Sequence, residues 1–136
     1  MRKITVSLIA SATLVLTGCS NPPSQTYESD WLLSSGTDSQ GEWVEGSEGA
    51  VRLTINDGQV SGQICNSWGG DIDINGPSVA MTSLFSTKMY CTEPAGIMDR
   101  ETRFLSDLSL VTTIELVDGR LRLSGGGVEL EFIGSH

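Results

Sequence analysis

Apolar and polar residues alternate over 51–64, VRLTINDGQVSGQI, and put Val51, Leu53 and Ile55 on one face. Asp57-Gly58 interrupts the alternation with a pair that favours the two-residue type I′ turn. The resulting hairpin sets Ile55 against Val60, Leu53 against Gly62 and Val51 against Ile64, so one face stays apolar on both strands. The same grammar recurs in TIELVDGRLRLS. There Asp118-Gly119 sets Leu116 against Leu121, Ile114 against Leu123, and Glu115 against Arg122. Apolar pairs then occupy one side and opposite charges the other. GGGVELEFI adds a third strand with Val128, Leu130 and Phe132 inward. A three-residue loop there would put Arg122 against Leu130. The pattern therefore predicts a four-residue loop from Ser124, which pairs Leu121 with Leu130 and Arg122 with Glu129, or else a glycine bulge.

Between these hairpins the period changes. In EPAGIMDRETRFLSDLS the residues Ile97, Phe104, Leu105 and Leu108 fall at helical spacing, predicting one helix around residues 95–108. Asp99, Arg100, Arg103 and Asp107 lie off the stripe. Glu101 lies on it, four residues after Ile97 and three before Phe104, and a carboxylate placed there must find hydrogen-bond partners. Trp31, Trp43 and Trp68 read as core filling or a half-buried rim in preference to a ligand pocket.

The first residues obey a different logic. Arg2 and Lys3 precede an apolar run over 4–16, the layout of a secretory leader and too short for a bilayer, which takes roughly 20 residues. The run closes on Leu16-Thr17-Gly18-Cys19, a lipobox in which Cys19 is acylated and becomes the mature N-terminus. Residues 1–18 are thus expected to be a lipoprotein signal peptide. Residues 19–29, polar and carrying a Pro pair, are expected to form a lipid-anchored tether. Residues 30–136 remain for one domain. The expected location is a cell membrane or outer membrane, with the domain facing the periplasm or the cell exterior.

Eight Lys and Arg stand against seventeen Asp and Glu, for a formal charge of −9. Removal of the leader takes two of the cations. That balance argues against nucleic acid, whose affinity rests on phosphate neutralisation. The acidic balance reads first as a solvated surface and only second as an attraction to a basic envelope protein; the other partner expected is the membrane, reached through the Cys19 lipid. With Cys19 assigned to lipid, Cys65 and Cys91 remain as an even pair in an oxidising compartment, and a disulfide between them is expected. Its chain-entropy contribution is about 3.5 kcal/mol. A redox pair would want C-x-x-C, which is absent, and a metal site has only His136 to draw on. No G-x-S-x-G elbow supports a hydrolase. Glu101 with Asp71 or Asp73 is no more than any acidic chain offers. No enzyme, no cofactor and no metal is expected.

Several of these stretches together carry a family resemblance. The early Trp31-Leu32-Leu33, DGQVSGQICNSWGG, STKMYC, MDRETRFLSDL and the closing LRLSGGGVELEF resemble the META domain, a family that includes the HslJ-like heat-shock lipoproteins of bacterial envelopes. The resemblance runs from about residue 31 to 133. It singles out Cys65, Asn66, Thr87, Met89, Cys91 and Glu101, with Leu105 and Leu108. Ile64 and Trp68 depart from the usual residues, and the stretch 39–49 is longer and more acidic than usual. The resemblance implies a small, mostly antiparallel β-barrel or curled sheet packed with a single helix. It implies no catalytic activity, and a loose link to heat response, drug tolerance and envelope upkeep.

Three roles follow as expectations. The first is a lipid-anchored, non-enzymatic envelope protein with a binding or stress role. The second is an acidic inhibitor of a basic hydrolase such as lysozyme, and the third a lipocalin-like binder of apolar ligands. An enzyme comes last. GQICNSWGG, which could be a nucleophile's turn or half a metal site, reads best as a stapled bend. A strand over 60–64 would turn through Asn66 and Gly69-Gly70, where glycine allows positive φ and close approach. Glu101 would be Asn66's neighbour, and Cys91 would hold Cys65 to the segment entering the helix.

Overall fold

The computed structural model describes Gly18, residues 26–43 and residues 50–135. The leader before Gly18, Cys19, the tether residues 20–25, the acidic stretch 44–49 and His136 lie outside the described residues.

Among the described residues, nine strands and one helix follow in the order β1 (Ser29–Asp38), β2 (Gly41–Glu42), β3 (Arg52–Asn56), β4 (Gln59–Gln63), β5 (Ser67–Asn75), β6 (Ser78–Ser86), α1 (Ile97–Leu110), β7 (Thr113–Val117), β8 (Arg120–Gly125) and β9 (Val128–Gly134). They form one antiparallel sheet that closes where β1 pairs with β9. Strand β2 pairs only with β1, so the other eight strands make the barrel. The architecture is the mostly β, one-helix barrel that the resemblance implies.

Both Asp-Gly turns are where the alternation puts them. Asp57 and Gly58 have φ of 48° and 73°, Asp118 and Gly119 of 52° and 76°. Positive values at both central residues give the twist that matches flanking strands. Ile55 pairs with Val60, and Ile114, Glu115 and Leu116 pair with Leu123, Arg122 and Leu121. The first ladder begins at Thr54/Ser61, so Val51 and Ile64 are not partners in it.

The third hairpin differs from expectation. Gly125 pairs with Val128 across a two-residue Gly126-Gly127 turn, giving Leu121/Phe132, Arg122/Glu131 and Leu123/Leu130. Neither the longer loop nor a bulge is needed. The strand extends through Gly125, and the glycines supply φ of 61° and 83° at the turn. The facing of the side chains is the same in either register, because the two differ by an even number of residues.

The helix starts two residues later than the periodicity indicates, because Gly96, at φ 80°, cannot be helical. It ends at Leu110. Strands β6 and β7 share a single residue pair, Ser78/Thr113, and α1 lies between them in the chain and packs against β6. Its Phe104, fully buried, enters the barrel edge-on to Trp43, Trp68 and Phe132, with ring centroids 6.1, 5.5 and 6.4 Å away. Trp31, Trp43 and Trp68 are all core residues. Side chains of this size contribute roughly 1.5–3 kcal/mol each on burial.

Gly62 marks where that packing is tightest. A Cβ there would stand 2.2 Å from the Arg52 carbonyl oxygen and 2.6 Å from the Trp68 ring. A backbone oxygen cannot step aside. Gly62→Ala should cost about 2 kcal/mol or more in urea unfolding at unchanged m-value. A loss below about 0.5 kcal/mol would contradict the tight approach.

Candidate functional site

The residues that the sequence groups as a motif do meet, at the corner between β4 and β5. Cys65 and Cys91 are joined, with Cα atoms 6.0 Å apart. Beside them Asn66 and Glu101 are buried, at 3 and 6 % exposure. One Glu101 oxygen, Oε2, accepts the backbone N–H groups of Cys65 and Asn66 at 3.0 and 2.5 Å. The other, Oε1, accepts Asn66 Nδ2 at 2.8 Å. The carboxylate on the apolar stripe thus finds the partners its position demands, and its neighbour is Asn66.

Asn66 is used at every polar atom of its side chain. Its Oδ1 accepts the Met89 N–H at 2.5 Å and the Thr87 hydroxyl at 3.0 Å. Its Nδ2 reaches Glu101 and, at 3.5 Å, the Met89 carbonyl. Thr87 and Met89, exposed in themselves, belong to the site through these bonds. A main-chain N–H can only donate, so Met89 fixes which end of the amide is oxygen. Nδ2 must then face Glu101. That forces an acceptor at Oε1, while the two N–H groups force an acceptor at Oε2. Glutamine has only one acceptor end, so glutamate is required.

The geometry revises one detail of the bend. Strand β5 already begins at Ser67, so Gly69 and Gly70 lie inside it, and neither has positive φ. Their requirement is close approach. Opposite Gly70 the register slips between Gly69/Phe85 and Asp71/Thr82, which bulges β6 at Ser83, φ 54°. A Cβ on Gly70 would stand 2.7 Å from the Thr82 carbonyl and 2.8 Å from Leu84.

A second polar cluster was not visible in the sequence. Asp107, off the apolar stripe by periodicity, is buried at 5 % exposure and accepts the indole N–H of Trp43 at 3.1 Å. It also shares a hydrogen bond with Asp38, at the end of β1. Arg103 clamps Asp38 with two bonds, Nε at 2.6 Å and Nη2 at 2.8 Å. Its guanidinium lies 4.2 Å from the centre of the Trp43 ring. The two aspartates diverge accordingly. Arg103 holds Asp38 down to about 2. Burial, and then the bond to Asp38, push Asp107 up to about 6. The only hint in the sequence was a tryptophan, Trp43, set in an acidic stretch. Its partners lie some sixty residues away, beyond the reach of periodicity.

Pairs of carboxylates with diverging affinities for protons occur at acid–base sites, but this pair is consumed by Trp43 and Arg103. The Glu101 cluster is likewise closed, and none of its partners is a carboxylate. Among the described residues, no group of three or more His, Cys, Asp or Glu could hold a metal ion. Two open depressions remain. The barrel mouth, about 830 Å³, is lined by Tyr27, Ile55, Ile72, Ile74, Pro77 and Ile114 among others. Buried isoleucines form its floor, and the interior below is filled by aromatic rings. A second, about 540 Å³, includes Glu42, Glu115, Glu129, Glu131 and Arg122 in its lining.

With this geometry in place, the comparisons with known proteins are informative. The profile of the META domain family matches residues 24–136. An NMR structure of a protein from Burkholderia xenovorans is similar at a TM-score of 0.64 and 21% identity, over 79% of this chain and 82% of that one. A crystal structure of a DUF4847 family protein from Bacteroides vulgatus is similar at 0.57 and 14% identity, over 79% and 93%. At these identities the likeness is one of fold. No curated protein sequence matches the chain.

Two measurements check the two clusters. Glu101→Gln should lower stability by about 2–3 kcal/mol, since either amide orientation sets donor against donor, and a near-neutral result would refute the acceptor argument. For Asp107 the folded value lies above the ordinary 3.8. Its contribution is therefore full below about pH 3.8 and is lost as the pH rises through about 6. The Asp38 share runs the other way, present above 3.8 and lost towards pH 2. Thermal midpoints should thus decline between about pH 4 and 6.5 more steeply in the native chain than in Asp107→Asn, which keeps both hydrogen bonds without titrating.

Proposed function

The chain belongs to the META domain family, and on that footing we propose that it works as a lipid-anchored, non-enzymatic binding protein of a bacterial cell envelope. The observation that carries the reading is the closed state of the motif. Every polar side-chain atom of Asn66 and Glu101 is spent on Cys65, Thr87, Met89 or each other. A group so engaged has no proton to exchange with a substrate and no open face on which to receive one. The most distinctive residues of the family motif therefore act as architecture.

The anchor rests on the lipobox ending at Cys19, on the leader before it, and on the disulfide. A Cys65–Cys91 bridge belongs in an oxidising compartment outside the cytosol. A lipid at Cys19 would be separated from Thr26, at the barrel mouth, by six residues. Two or three acyl chains hold stably where one does not. The domain's negative charge keeps it off anionic headgroups, so it stands on the tether.

Incorporation of an alkynyl palmitate checks this reading. The full chain should take up label in its native host, Cys19→Ser should take up none, and globomycin should cause a larger precursor to accumulate. An unlabelled wild-type chain of unchanged size would refute the anchor.

A further inference from the structure

We propose that Phe85, Met89 and Tyr90 form a preorganised docking patch for a polypeptide segment that presents apolar side chains beside a carboxylate. It deepens the binding reading above by locating the surface and the chemistry of its partner. Among the described residues, large hydrophobic side chains with high exposure are few, and the three most exposed are these, at 63, 58 and 84 %. They fall within six residues of one another. Aromatic and methionine side chains are the ones enriched at the centres of protein interfaces. Leaving them in water is unfavourable unless something covers them.

The patch is held rigid by the motif residues. The Met89 N–H and carbonyl are both bonded to the Asn66 side chain, as a neighbouring strand would hold them. Thr87 donates its N–H to the Ser67 carbonyl at 2.9 Å and its hydroxyl to Asn66. Cys91 closes the segment onto Cys65. The Phe85 ring lies across Gly69, where a Cβ would sit 3.2 Å from it. A segment ordered in advance gives up little conformational entropy on binding. This supplies a purpose for the closed Asn66–Glu101 cluster, which otherwise stabilises a loop that buries almost nothing.

Position and charge choose the occupant. Strand β6 runs from Ser78, next to the mouth where Thr26, Tyr27 and Glu28 enter, to Ser86, next to the patch. Nine residues of strand separate the two ends by roughly 25–30 Å. Thr26 therefore lies at one end of the barrel and the patch at the other, which disfavours a bilayer. Lys88 lies between Phe85 and Met89 in the chain, is exposed, and makes no ion pair among the described residues. A two-fold contact between copies would join two acidic chains, each of formal charge −9. A carboxylate on a foreign segment meets Lys88 without that repulsion.

A random dodecapeptide phage library panned on the immobilised full chain is the test. Enriched peptides should combine aromatic or aliphatic residues with Asp or Glu. Their affinity should fall at least tenfold with Met89→Asp or Tyr90→Asp and severalfold with Lys88→Glu, at unchanged thermal midpoint. Failure to enrich peptides, or enrichment indifferent to these substitutions, would overturn the proposal. So would a dimer in sedimentation that Met89→Asp dissolves, or binding to phosphatidylglycerol vesicles that Tyr90→Asp abolishes. Palmitate labelling is independent of the patch, so the failure of this proposal and that of the anchor are separable.

Discussion

Barrel closure here depends on a helix. Strands β6 and β7 touch through one residue pair, and a sheet left open along that seam would expose main-chain donors and acceptors as well as its core. Helix α1 is the next element after β6 and packs against it, and Phe104 fills the interior that eight short strands would leave hollow. The position of α1 is therefore the quantity the rest of the fold has to secure. Apolar packing alone is non-directional and does not set a helix's rotation about its own axis.

Two polar fastenings set it. Near its start, Glu101 grips the corner between β4 and β5 through two N–H groups and an amide. Within the next two turns, Arg103 and Asp107 grip the β1–β2 hairpin and Trp43. Each places charge where burial is costly, and each meets that cost with directed bonds. The disulfide adds a covalent link at the first fastening only. The two differ in character: the Glu101 knot binds mainly backbone, whereas the second joins side chains, with Arg103 ion-paired to Asp38 and the buried Asp107 responding to proton concentration.

Local pattern made much of this legible. Alternation with Asp-Gly located two hairpins to the residue, because turn chemistry and facing agreed. Glu101 on an apolar stripe was a visible conflict, and a conflict of that kind demands a partner. Asn66 was found for the same reason. The third hairpin missed by two positions, since registers differing by two residues present identical faces and only the glycine conformations separate them. Asp107 was missed because its partners, Asp38 and Trp43, are remote in the chain and reach it only once the barrel exists. Phe85 and Tyr90 follow no pattern in the sequence that marks them, and Met89 stands out only through the family resemblance; their exposure is a property of the assembled molecule.

The pairing of β1 with β9 has a temporal side. The first strand of the domain needs the last one, Val128–Gly134, as its neighbour. A chain delivered amino end first, by a ribosome or through a secretion pore, holds β1 with one flank unmet until its final residues arrive. Through that interval the domain stays threadable, as transport across a membrane requires. It is also at its most adhesive, with an unpaired strand offered to any passing neighbour. Completion is thus an all-or-nothing event timed by the arrival of β9, and the same arrangement that delays it gives the finished barrel wall a partner for β1 on both flanks.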